Sequence, residues 1–185
     1  DKESGSNSLK NGGYTGFVYM PSTKPPIQNS SDINFIKSLF EKNILDVFPS
    51  GCITKNMDGL EITEMNDMKK AGAITFTDDL NSIDNPKVMS IALEYSKLFK
   101  NPIFIFPFEK RLCDDGQINE GKVSTLLGIK GIPNISEEIR VNRDIELAKY
   151  YDGRLHFSAI SSFESLQLIK KAKENNILVS SDVPA

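Results

Sequence analysis

The sequence predicts an α/β protein built on a parallel sheet, and within that class a (β/α)8 barrel represented by about six βα units. Three observations lead there. Short apolar runs alternate with amphipathic helical stretches along the 185 residues. The runs are near-continuously apolar, as strands covered on both faces are. No Gly-rich phosphate-binding fingerprint follows any of them, which argues against a dinucleotide-binding sheet.

In chain order the expected strands are GFVYM from Gly16, ILDVF from Ile44, AITFT from Ala73, PIFIF from Pro102, RLHF from Arg154 and ILVSS from Ile177. Their starts lie 28, 29, 29, 52 and 23 residues apart. The first helix between them is expected to be capped by Ser31 and to carry Ile33, Ile36 and Phe40. ITEMNDMKKAG, from Ile62, reads as a shorter helix ending at Gly72. Asn85-Pro86 is an N-cap followed by a first-turn proline, opening a helix whose buried stripe is Val88, Ile91, Ala92, Tyr95, Leu98 and Phe99. Asn134 with Glu137 is a weaker start before Ile139, Ile145 and Ala148. Ser161 with Glu164 forms a capping box before Phe163, Leu166, Ile169 and Ala172. Helices re-enter the sheet through similar joints (KAG, EKN, FKN, ENN), where Gly or Asn suits a left-handed closing residue.

The 52-residue interval contains CDDGQINEGKVSTLLGIKGIP, read as a long loop on the functional side. A whole barrel needs eight strands and typically about 250 residues. One strand is therefore expected before Asp1 and another after Ala185, with residues 1–185 forming one partial barrel domain. Either the sequence is a fragment or partner chains cover its open edges, as in a homo-oligomer.

Composition excludes several classes of function. Hydrophobic residues at 39% and charged residues at 25% are those of an ordinary globular protein. A net charge of -3, with Lys and Arg scattered, argues against nucleic-acid binding. No stretch approaches the roughly 20 apolar residues of a membrane span. The N-terminal DKESGSNSLKNGG is polar, without the apolar core of a signal peptide. Cys52 and Cys113 make neither a disulfide framework nor a zinc-ligand spacing, and a cytoplasmic setting is expected.

Barrel active sites lie at the C-terminal ends of the strands. Here those ends read Met20-Pro21-Ser22-Thr23, Pro49-Ser50-Gly51, Thr77-Asp78-Asp79, Pro107-Phe108-Glu109, Ser158-Ala159 and Ser181-Asp182. Three end in acidic residues, so a cation site or a group that polarises a carbonyl is conceivable. An Asp-Asp pair after a strand also suits a turn or helix cap. Glu109 is a candidate base, or the partner of Lys110 or Arg111 in a solvated ion pair. His156, the single histidine, sits mid-strand and reads as a packed, hydrogen-bonded residue. One histidine without a cysteine pair does not make a His-rich zinc site. No motif supports Ser-His-Asp catalysis.

Several segments resemble those of dihydroorotases. ESGSNSLKNGGYTGFVYMPSTKPPIQN is similar to the family's segment ending in Gly-Gly-Phe-Thr and Met-Pro-Asn-Thr. KKAGAITFTDD resembles Ala-Gly-Ala-x-x-Phe-Ser-Asp-Asp. NEGKVSTLLGIKGIPNISEEIRVNRDIELA resembles the Asn-Glu-Gly…Gly-Ile-Pro…Glu-Glu…Arg-Asp block, and RLHFSAISS the Arg-x-His-x-x-His-x-Ser-Thr strand. The resemblance implies an amidohydrolase-type TIM barrel and, as the family reaction, reversible hydrolysis of the cyclic amide of dihydroorotate in pyrimidine biosynthesis. It also implies a binuclear zinc centre held by a His-x-His pair, an Asp and two further His, with a late Asp as base. Carried over by position, Asp78 matches the ligating Asp. Pro107 falls on the His of His-x-Glu-Asp, Ala159 on the second His of the later strand, and Ser22 on the substrate-contacting Asn. The His-x-His pair would precede Asp1 and the late Asp would follow Ala185. The expectation is a chain that binds no zinc tightly and hydrolyses dihydroorotate weakly or not at all. The alternative is a non-catalytic scaffold for aspartate carbamoyltransferase. A third reading is a barrel binding a small polar ligand through Asp78, Glu109 and Asn119-Glu120-Gly121.

Overall fold

The computed structural model describes residues 2–41, 45–113 and 115–184. Its strands are β1 (Gly16–Tyr19), β2 (Asp46–Gly51), β3 (Thr75–Phe76), β4 (Ile103–Ile105), β5 (Ile118–Asn119), β6 (Gly131–Ile132), β7 (Leu155–Phe157) and β8 (Val179–Ser181). Its helices are α1 (Lys2–Asn11), α2 (Ser30–Leu39), α3 (Met65–Ala71), α4 (Pro86–Phe99), α5 (Lys122–Leu127), α6 (Ile135–Tyr151) and α7 (Phe163–Glu174). Six strands form one sheet in the order β1-β2-β3-β4-β7-β8, and every pairing is parallel. These are the six strands expected from the sequence, joined by helical crossovers as parallel pairing demands. The expected start of the second strand at Ile44, and the Asn43 joint before it, lie outside the described residues.

The core lies between the sheet and its helices. Phe76, Ile103, Leu155 and Phe157 from the strands meet Ile33, Met68, Met89, Leu93, Val141 and Ile145 from the helices. The Asn85 side chain accepts from the Lys87 N–H, so α4 opens as expected, with Pro86 in its first turn. Its buried face is rotated from the expected stripe. Met89, Leu93 and Ser96 are buried, whereas Leu98 is 74% exposed. Ser96 turns inward without penalty because its hydroxyl donates to Leu93 O and accepts from Arg154 N.

Two caps sit one or two residues from their expected positions. Asn29, not Ser31, caps α2: its side chain accepts from Asp32 N, and the Asp32 carboxylate accepts in return from Asn29 N. Ser162, not Ser161, caps α7 by accepting from Ser165 N. That shift leaves Phe163 68% exposed while Ile169 and Ala172 stay buried. In the joints, Gly72 (φ 115) and Asn176 (φ 61) take the left-handed conformation as expected, but after α4 it is Lys100 (φ 58) rather than Asn101. Asn101 instead accepts a hydrogen bond from Lys69 Nζ.

The segment between β4 and α6 is not a plain loop. It folds into the parallel pair β5–β6 with α5 between them. The close approach depends on Gly131, where a Cβ would lie 2.7 Å from the Cα of Glu120. Asp114 of this segment lies outside the described residues. The polar N-terminal segment, which carries no apolar period, forms α1.

Leu93 is fully buried, and Gly153 packs against it so closely that a Cβ there would sit 2.7 Å from Leu93 Cδ2. Leu93→Ala is expected to lower the unfolding free energy by roughly 2–5 kcal/mol, read by urea denaturation.

Candidate functional site

The mouth is built where β3, β4, β7 and β8 end. Asp78 follows β3 and is buried. Its Oδ1 accepts from Ile53 N (2.9 Å) and Thr54 N (3.0 Å), and its Oδ2 accepts from Thr54 Oγ1 (2.5 Å). Burial pushes its pKa up, against the pull of these hydrogen bonds. The carboxylate therefore fastens the end of β3 to the segment after β2. The neighbouring Asp79 has left-handed backbone (φ 52), and its Oδ2 accepts the hydroxyl of exposed Ser22. The structure thus pairs Ser22 with Asp79, not with Asp78. Cys52 lies buried near Asp78, and burial, followed by the Asp78 charge, pushes its thiol up to about 12. A thiol held there stays protonated at neutral pH and is a poor metal ligand.

Pro107 and Ala159 line one cavity of about 240 Å³ at the ends of β4 and β7. Phe106, Phe108, Ile132, Pro133 and Pro184 supply more of its wall, with the side chains of Asn119, Asn134, Ser136, Glu137 and Ser161. Residues 107 and 159 thus line the same cavity. Neither side chain carries a lone pair to give to an ion. Among the described residues there is no cluster of three or more His, Cys, Asp or Glu able to hold one.

His156 stands in the middle of β7. Its Nδ1 lies 2.9 Å from Ser180 Oγ, its Nε2 lies 2.9 Å from Asp182 Oδ2, and its ring lies 4.4 Å from that of Phe104. Both nitrogens are thus committed, which fits the packed role read from the sequence. Asp182 also accepts from the Ala159 N–H at 2.6 Å, while its own N–H donates to Phe157 O and its carbonyl accepts from Ile160 N. Ala159 adopts φ 58 in this turn.

Glu109 pairs with neither the Lys110 nor the Arg111 side chain. Its Oε2 meets Arg140 Nη2 at 2.7 Å, while Oε1 accepts only the backbone N–H of Arg111 at 3.3 Å. Arg140 is 3% exposed and also bonds Asp84 and Ile83 O, so helix α6 is the nearer source of positive charge. Arg143 adds bonds to the carbonyls of Ile83 and Asp84 and a pair with Asp144. Glu137, on the same helix, accepts from Ser161 N, Ser161 Oγ and Ser162 N, fixing the β7–α7 turn. Sequence reading had treated Glu137 as a capping signal and passed over the two arginines. Their spacing held the clue: Glu137, Arg140 and Asp144 fall on the same helical face as Val141, Ile145 and Ala148, and all six are buried.

This alternation of parallel strands and covering helices, with its mouth at the strand ends, defines a segment of a (β/α) barrel. Residues 3–165 match the family model described as dihydro-orotase-like, and the chain belongs to that family. It is 40% identical over 179 residues to a dihydroorotase of Endomicrobium trichonymphae, covering 96% of this chain and 42% of that protein. It is 38% identical over 183 residues to a dihydroorotase of Carboxydothermus hydrogenoformans, covering 99% and 43%. The chain thus spans less than half the length of these curated relatives. Among solved structures, the L-hydantoinase of Arthrobacter aurescens superposes with a TM-score of 0.78 at 18% identity, covering 96% of this chain and 41% of that one. A dihydroorotase of Saccharomyces cerevisiae gives 0.67 at 12%, covering 96% and 50%. At these identities the superpositions establish the fold, an incomplete barrel. No helix among the described residues is long and apolar enough to cross a membrane.

Partial burial raises the Asp182 pKa, but the Ala159 N–H and His156 outweigh it and hold the carboxyl below its ordinary value. The folded state then binds this proton more weakly than the unfolded chain. Asp182 adds stability above the usual carboxylate pKa of about 3.9, and that increment is lost as pH falls through the lower folded value. Urea midpoints are expected to drop on acidification below about pH 4, and Asp182→Asn to flatten part of that drop.

Proposed function

We propose that this chain is part of a dihydroorotase-like protein of pyrimidine biosynthesis whose metal site is lost, leaving hydrolysis of dihydroorotate weak or absent. A single observation carries the reading: Pro107 and Ala159 share the cavity where the family resemblance expects two histidines. Lewis-acid activation of water needs a bound ion, and a proline ring and a methyl group cannot coordinate one. The remaining donors do not fit a zinc centre either. Of the ligand positions that the resemblance places within residues 1–185, Asp78 alone keeps a donor, and its oxygens already accept three hydrogen bonds. On this reading Asp78 is a remnant and Ser22 stands where the family contacts substrate. The charged lining adds support: among the described wall residues the one ionisable group is Glu137, which would repel a carboxylate substrate. On this reading the protein is a pseudoenzyme of the cytoplasm.

A non-catalytic scaffold for aspartate carbamoyltransferase is the second reading. It draws on Ile135, Ile139, Phe163 and Leu166, apolar residues near the starts of α6 and α7 that are 40–68% exposed. A scaffold needs an outer surface rather than ligands at the mouth.

Elemental analysis of the purified protein is expected to find well under one zinc per chain, and carbamoyl aspartate formation to match the uncatalysed background. About one tightly bound zinc, reduced by Asp78→Ala, would refute the metal-loss reading. Size-exclusion with aspartate carbamoyltransferase at micromolar concentrations tests the scaffold: co-elution supports it, and separate peaks count against it.

A further inference from the structure

The wall that cannot hold an ion has a chemistry of its own. Phe106 and Phe108 stand with ring centroids 5.4 Å apart, and prolines and Ile132 complete most of the lining. Its polar groups are largely spent. Glu137 is committed to Ser161 and Ser162, and the Asn119 amide donates to Ser161 Oγ at 2.9 Å. No Lys, Arg or His is among the described lining residues. The chamber therefore offers a binding molecule apolar contact, few free polar groups and the Glu137 carboxylate.

Resting on the metal-loss reading, we infer that this cavity binds a small uncharged ring, one with apolar faces, and rejects anions. Size agrees: apolar cavities of roughly 150 Å³ admit benzene, and this one measures about 240 Å³. Apolar contact drives binding, since a flat ring placed against Phe106 and Phe108 gains offset aromatic packing. An anion would forfeit hydration beside Glu137 with no cation in return. Exchanging a metal-ligand position for proline and alanine thus changes the kind of ligand accepted rather than merely emptying the site.

The chain contains no tryptophan, so indole's own fluorescence reports its binding. The probes are indole and indole-3-carboxylate, titrated into the protein after its zinc content is measured. Indole is expected to saturate with a Kd on the order of 1 mM or lower, and indole-3-carboxylate to bind at least about tenfold more weakly. Ala159→Leu, which fills the chamber, is expected to weaken indole at least about tenfold, with an unchanged thermal midpoint showing that the variant folds. If that variant unfolds, the comparison of the two probes on the unaltered protein decides. Absence of saturable indole binding to zinc-free protein, or equal affinity for both probes, overturns this inference and leaves the metal-loss reading standing. About one zinc per chain overturns both.

Discussion

A carboxylate that accepts backbone N–H groups from a neighbouring strand end is a fixed strut, and the mouth of this protein is framed by three of them. Asp78 takes two amides and a hydroxyl from residues 53 and 54. Glu137 takes the amides of Ser161 and Ser162. Asp182 takes that of Ala159 together with a histidine nitrogen. Parallel strands end in loops whose amides the sheet cannot satisfy, and leaving such groups buried and unpaired costs about 1–3 kcal/mol each. Side-chain oxygens meet that demand here. The same hydrogen bonds hold these oxygens in fixed positions around the mouth.

A second layer of charge lies behind the struts. Arg140 and Arg143 reach from α6 to the carbonyls of Ile83 and Asp84, joining the loop after β3 to the helix before β7. Burying a guanidinium requires paired charge, and Glu109 and Asp84 provide it for Arg140, as Asp144 does for the partly exposed Arg143. Glu109 thereby becomes part of the frame instead of a free base.

Much of the architecture was legible in the residues because parallel strands and their covering helices have strong periodic signatures. All six strands of the main sheet, and the helices between them other than α5, fall within a few residues of where apolar runs and caps indicate. What escaped followed from local competition. Neighbouring residues able to cap exchanged places at Asn29 and Ser162, since position in space, not residue type, decides which oxygen meets the N–H. The inserted segment concealed β5, α5 and β6 because two-residue strands leave no period to detect. The mouth was legible from the strand ends of the fold class, and the resemblance singled out Pro107 and Ala159 there, but neither said anything of Asp79 holding Ser22. The buried Arg140 and half-buried Arg143 were hidden by the habit of assigning charge to the surface.

Ala159 has a further meaning. A non-glycine residue at φ 58 is uncommon, and here the turn is held by Asp182 and by backbone bonds on either side rather than by anything the methyl group contributes. Any side chain installed at this position inherits the same starting direction from its Cα. The turn thus supplies a fixed aim that a methyl group leaves unused, and one substitution at position 159 would change what the wall presents.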